Sequence, residues 1–366
     1  MADELGLSAH PTSMSDLPTP PAEPDPRWTP AIATVSLGTA EFHTLPAKIE
    51  AAAQNGQRGL ELFHDDLAQF AKSLRASSGS QAAARTDRDF EIDAAHAIRE
   101  LCEQKGLQVL ALQPFRQFEG LLNAVEHANR IEELKHWTKL CLILGEDLFI
   151  LIPSSFLDDS QITGDRDRLV SDLAEAADVV FPVRIAYEAL AWGTYINTWE
   201  DSWEIVKRAN RPNLGICLDT FNIAARIWAD PTSPTGRLPA HADSDLTESM
   251  HRLVREVDPD RVWMVQLADG ERVDPQAPFL RVPGMPELLS WSRNARLFPC
   301  EEERGGYLPI RQVTDACLSK LGYTGWVSME VFSRSTMDAQ PSVPNDHAAR
   351  AARSWRRMLQ QLDSGE

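Results

Sequence analysis

From Ala31 onward the chain becomes periodic, with short apolar runs alternating with longer amphipathic stretches. The runs are AIATVSL (31–37), GLELF (59–63), LQVLALQ (107–113), DLFILIP (147–153), VRIAY (183–187), LGICLD (214–219), VWMVQLA (262–268) and WVSMEVF (326–332). Segments of helical spacing lie between most of them, among them LPAKIEAAAQN, EIDAAHAIRELCEQK and NRIEELKHWTKLCLILG. Continuous apolar strands alternating with helices predict a parallel sheet covered on both sides. Eight such units over about 330 residues predict an α/β fold, a (β/α)8 TIM barrel, with a doubly wound open sheet as the alternative.

Two connections are long for a compact domain. They span roughly 229–248 and 269–310, after the sixth and seventh runs. Loops of that length are usually functional, and these two would lie over the C-terminal face of a barrel as parts of a lid. Residues 1–27, which include SDLPTPPAEPDPR, are rich in Pro, Ser and acids and read as a disordered arm. Residues 28–366 read as one barrel domain.

Polar residues interrupt the late runs near their ends: Glu188 after the fifth, Asp219 ending the sixth, Gln266 in the seventh and Glu330 in the eighth. Each alone has a plainer reading. Glu188 could be a rim residue, Asp219 a helix cap, Gln266 a partner for core backbone groups and Glu330 half of an internal ion pair. Together they fall on consecutive strands whose ends share one rim of a barrel, the rim that carries barrel chemistry. Three carboxylates without a cation would repel one another, and an all-oxygen set suits a hard divalent ion such as Mg2+ or Mn2+ better than zinc.

Charge and cysteines narrow the classes further. A net charge of −18 disfavours nucleic-acid binding. No run approaches the roughly 18 apolar residues of a membrane span, and MADELGLSAH lacks the basic start and apolar core of a secretory signal. Five scattered cysteines without a C-x-x-C suit reduced thiols in a cytoplasmic protein. Neither G-x-G-x-x-G after a strand nor a P-loop is present.

The stretch from Tyr187, YEALAWGTYINTWEDSWEIVKRANRPNLGICLDTFNIAARIWADPTS, with VQLADGER, GGYLPI and GYTGWVSMEVF, resembles the fungal 3-dehydroshikimate dehydratases of the xylose-isomerase-like barrel superfamily. The resemblance continues upstream through IATVSLGTAEFHTLPAKIEAAAQNGQRGLELFHDDL and LQPFRQFEGL and covers about residues 30–358. It implies dehydration of 3-dehydroshikimate to protocatechuate, an aromatising step of quinate and shikimate breakdown, with a divalent metal (Mg2+, Mn2+ or Co2+). The implied ligands are Glu188, Asp219, Gln266 and Glu330.

Such a reaction needs a Lewis acid at the ketone, a base for the proton beside it, and an acid for the departing hydroxide. The substrate carboxylate calls for an arginine fork. Arg116 in QPFRQFEG is the first candidate, and Arg272 in LADGER the second. The catalytic candidates are Glu61 near the end of the second strand, His64 in the loop after it, Tyr195 and Asn222. Glu61 could orient Arg116, bind a substrate hydroxyl or form an ion pair inside the barrel. Relatives are expected to carry His where this chain has Tyr195, metal-dependent members elsewhere in the superfamily often have His where it has Asn222, and several sugar isomerases have Lys where it has Ala268. A sugar or inositol-type isomerase or epimerase on the same platform is therefore an alternative. A non-catalytic barrel acting as a pathway sensor or scaffold is another. An endonuclease-like barrel fails on charge. The expected partner is the small-molecule substrate, with no nucleic acid or membrane, and a homo-oligomer is left open.

Overall fold

The computed structural model describes residues 27–79 and 84–364. The arm read over residues 1–27 lies outside the described residues except for Arg27. That residue directly precedes the first strand, and its carbonyl accepts the Gly325 N–H at 2.9 Å.

The strands are β1 (Trp28–Ala33), β2 (Gly59–Phe63), β3 (Gln108–Gln113), β4 (Phe149–Pro153), β5 (Arg184–Glu188), β6 (Leu214–Asp219), β7 (Val262–Leu267), β8 (Asp269–Gly270), β9 (Arg296–Leu297) and β10 (Gly325–Met329). Eight of them close into a parallel barrel in the order β1-β10-β7-β6-β5-β4-β3-β2, while β8 and β9 form a separate antiparallel ribbon. The fold is the expected (β/α)8 barrel.

The first strand starts three residues earlier than its apolar run, because Pro30 interrupts the pattern without breaking the pairing. The residues expected to complete that strand, Thr34–Leu37, turn into a 3-10 helix instead. Thr34 makes that turn with its hydroxyl, which accepts the Phe63 N–H at 3.0 Å and donates to Asp66 at 2.6 Å.

Helix ends follow local chemistry. Thr86 and Asp89 form a capping box at the start of Asp87–Lys105, which ends at Gly106 in the left-handed region (φ 68°). Asn123 caps Ala124–Leu144, and Thr198 caps Trp199–Ala209.

Strand alternation divides the core. Leu60, Leu112, Ile150, Ile185, Ile216 and Val265 pack outward beneath the helices. Ala31, Phe149, Leu151, Ala186, Cys217 and Met264 form a smaller cluster, set by the two-residue period of their strands to the barrel interior. The two long connections also carry structure of their own. The first runs into the helix Ala242–Glu256, and the second contains the helix Glu287–Ala295 and the ribbon strands.

Candidate active site

The same period builds the site. Glu188 follows Ala186 by two, Asp219 follows Cys217, Gln266 follows Met264, and Glu330 follows Ser328. Each polar residue therefore continues its strand's inward-facing row and forms the layer above the apolar filling. Pairing aligns the rows: Asp219 sits opposite Gln266, and Gln266 opposite Ser328. The register slips between Leu60 and Glu61 and between Ile216 and Cys217, irregularities that re-aim side chains beside the rim.

Carboxylate oxygens of Glu188, Asp219 and Glu330 converge to within 4.8 Å of one another, and all three residues are buried. Two other side chains tie them together. Arg296, 1% exposed, donates through Nη1 to Asp219 Oδ2 at 2.7 Å and to Glu330 Oε2 at 3.1 Å. Its Nε is held by Ser292 Oγ at 2.9 Å, and its guanidinium carbon lies 4.3 Å from the centre of the Phe221 ring. Asn222 donates to Glu188 Oε1 at 2.8 Å and Asp219 Oδ2 at 3.0 Å, while its own carbonyl accepts the Ala191 N–H. Asp219 has two roles, since its Oδ1 also caps the helix Thr220–Ile227 through the Asn222 N–H. The amide of Gln266 lies between Glu61, to which it donates at 2.8 Å, and the Cys217 thiol. Gln113, at the end of β3, also donates to Glu61.

The charges are poorly compensated. Burial, then the Glu330 and Asp219 charges, push the Glu188 carboxyl well above its ordinary range. Burial raises Glu330 to about 7 even though Arg296 opposes the shift. Burial and the Glu330 charge raise Glu61 to about 8. Burial works against the Arg296 charge, but the facing acids more than offset it and hold its guanidinium above the ordinary value. One arginine cannot balance three buried acids, and an oxygen-donor set with this excess fits a divalent cation.

Above the cluster is a pocket walled by Phe63, Phe156, Leu190, Trp192, Leu289 and Phe332, with Gln113, Arg116, Glu188, Arg293, Arg296 and Glu330 supplying its polar surface. The Trp192 indole N–H is buried without a partner. A separate cavity of about 550 Å³, lined by Asp269, Cys300, Lys320 and Met358 among others, touches none of the rim acids.

Arg116 reaches the pocket as expected. Arg272 does not; it is exposed and donates to the Pro234 carbonyl at 2.8 Å. Tyr195 is also elsewhere, with its hydroxyl donating to Asp159 at 2.9 Å and its ring over Gly164. His64 opens the helix His64–Ser77, stacks on Trp137 at 4.8 Å and faces Glu91 in the helical layer. Glu61 is fully buried and pairs with the amides of Gln113 and Gln266; of the three roles open to it, neither the contact with Arg116 nor an ion pair is made among the described residues.

Sequence reasoning missed Gln113, Arg293 and Arg296. Gln113 carried the same signal as the four rim residues, a polar group ending an apolar strand. For Arg296 the available signal is its setting, a cation inside the apolar stretch ARLF (295–298).

Residues 49–359 match the family model described as a xylose isomerase-like TIM barrel. The chain is 42% identical over 341 residues to the 3-dehydroshikimate dehydratase of Neurospora crassa, covering 91% of this chain and 94% of that protein. It is 33% identical over 305 residues to the 3-dehydroshikimate dehydratase of Pseudomonas aeruginosa, covering 83% of this chain and 38% of that longer protein. A solved fusion of a xylose isomerase-like TIM barrel with 4-hydroxyphenylpyruvate dioxygenase superposes with a TM-score of 0.66 at 27% identity, over 91% of this chain and 43% of the other.

Proposed function

The chain belongs to the xylose isomerase-like TIM barrel family, and from that premise we propose that it is a hydro-lyase converting 3-dehydroshikimate to protocatechuate with a bound divalent cation. The observation that carries the reading is the near end-to-end match, at 42% identity, to the Neurospora crassa dehydratase in a chain whose buried acids Glu188, Asp219 and Glu330 converge on one rim.

Glu188, Asp219, Glu330 and the Gln266 carbonyl would hold the cation, which supplies Lewis acidity at the substrate ketone. Asn222 holds two of these acids at a fixed spacing, which makes it a positioning residue and not a proton carrier. Glu61 orients the Gln266 amide. Arg296 keeps Asp219 and Glu330 turned toward each other. The aromatic walls exclude water from the reacting carbons and suit a ring that flattens as it becomes aromatic. At the open side, Arg116 pairs with the substrate carboxylate. The reaction balances as the loss of one water: a proton leaves the carbon beside the carbonyl, hydroxide leaves the next, and enolisation completes the ring. Tyr195 and His64 take no part. All five cysteines are buried and unpaired, which supports a reducing, cytoplasmic setting. Among the described residues no helix is long and apolar enough to cross a membrane.

The test is an ultraviolet scan of 3-dehydroshikimate with protein reloaded with Mg2+, Mn2+ or Co2+, and again with excess chelator. Protocatechuate should appear only with metal. A non-aromatic product would transfer the site to isomerisation or epimerisation, and undiminished activity under chelator would remove the cation from the proposal.

A further inference from the structure

The pocket is electrically divided. Its floor carries the acid cluster, while Arg116 and Arg293 line its opening. Arg293 lies on the helix Glu287–Ala295, one turn before Arg296, and comes from the long connection after β7. Arg116 comes from the segment after β3, on another side of the barrel. Partial loss of water and the Arg116 charge beside it lower the Arg293 guanidinium's affinity for its proton. Among the described residues neither guanidinium has a carboxylate within salt-bridge distance, although the Arg116 charge is felt by Glu330 and acids outnumber bases 54 to 36 in this chain. Arg75, Arg88 and Arg211 outside the pocket have each found one, whereas the exposed Arg272 and Arg281 meet only backbone carbonyls; what distinguishes Arg116 and Arg293 is that they line the pocket together. Two neighbouring cations kept free at a pocket mouth are unfavourable to each other unless a ligand anion settles between them.

We propose that Arg293 acts with Arg116 as a two-guanidinium cradle for the carboxylate of the substrate and product, and so sets both orientation and the requirement for an acidic substrate. This rests on the dehydratase reading and extends it to a residue on a second element. The geometry follows: a carboxylate offers two oxygens, and two forks from different elements lining one pocket can each take one. With the carboxylate held at the mouth, the rest of the ring reaches inward past Phe63 and Phe332 toward the acid floor.

The test is equilibrium binding to the metal-loaded enzyme with two probes, protocatechuate and catechol. They share the ring and vicinal hydroxyls, but only the first has the carboxylate. Wild type should prefer protocatechuate. Arg293→Ala and Arg116→Ala should each weaken protocatechuate by roughly 10- to 100-fold, the range of a lost charge-assisted hydrogen bond, and leave catechol unchanged. Arg293→Lys should fall between, since it keeps the charge and loses the fork. Both arginines are exposed enough for the variants to fold. Unchanged protocatechuate binding in Arg293→Ala would overturn the cradle, as would an equal loss on both probes. Failure of wild type to dehydrate 3-dehydroshikimate would sink the dehydratase reading separately, because the comparison of probes does not depend on turnover.

Discussion

Replacing Arg296 with methionine tests the electrostatics of the rim. Methionine fills much of the same space against Phe221 but removes the cation shared by Asp219 and Glu330. Breaking a buried pair from one side costs about 3–5 kcal/mol, because the orphaned charges stay buried. The wild-type rim gives an independent scale. A Glu330 carboxyl raised from its ordinary 4.5 to about 7 already represents on the order of 3 kcal/mol of unfavourable ionisation at neutral pH. The sign of the pH dependence follows. Raised carboxyls mean that the folded, metal-stripped protein holds more protons than the unfolded chain between about pH 4.5 and 7, so stability falls as pH rises through that window. Removing Arg296 lifts these groups further, and the variant's deficit should grow from pH 5 to pH 8. Urea unfolding followed by tryptophan fluorescence, in chelator, at both pH values reads this directly. Saturating Mn2+ at about 100 times its dissociation constant should return roughly 2.7 kcal/mol by linkage. A deficit below about 1 kcal/mol at pH 8, or one equal at both pH values, would refute the reasoning.

Glu188→Gln and Glu330→Gln should each lower kcat by roughly 100-fold or more, since even residues behind the ligands of a metal site cost 10- to 100-fold. The same variants should unfold, metal-stripped, at equal or higher urea than wild type, because each removes one of three mutually repelling charges; wild-type kcat at saturating metal would withdraw that residue as a ligand. Tyr195→Phe should stay within about twofold of wild-type kcat/KM and lose less than about 1 kcal/mol of stability, since its hydroxyl meets only Asp159 at the surface. A loss of tenfold or more in steady-state kinetics would return Tyr195 to the site.

The barrel was legible because its strands are buried on both faces and its helices on one, two periods that differ along the chain. GLELF and LGICLD matched β2 and β6 residue for residue. The first strand was misplaced at both ends for local reasons: Pro30 hid its start, and the Thr34 hydroxyl, pairing with residues about thirty positions away, ended it early. No short window contains such a partner. The same limit explains the site. Glu188, Asp219 and Gln266 lie within strands and Glu330 directly follows β10, so a period of two places them together. His64 and Tyr195 follow strands, where alternation no longer fixes direction, and both turn to partners in the helical layer or at the surface. Arg293 and Arg296 come from a connection whose own helix and ribbon were read only as a loop, although the ribbon strand β9 delivers the counter-charge to the acids.

Why the rim needs so many neutral amides follows from the same count of charges. Glu188, Asp219 and Glu330 would bring three negative charges when ionised and Arg296 one positive, leaving an excess of two. Asn222 donates to Glu188 and Asp219, and Gln113 and Gln266 donate to the neighbouring acid Glu61, all without adding charge, so they fix geometry and leave that excess available. A second buried arginine, or a histidine that took up a proton, would reduce it and weaken the claim on a divalent ion. Without metal, burial first and the unbalanced neighbouring acids second make Glu188 and Glu330 hold their protons firmly. Protons and cation then compete for the same oxygens, and metal affinity must fall as pH falls. Asn222, which looked like a gap where a base was expected, is on this view a requirement: the position holds two carboxylates apart with a group that cannot ionise.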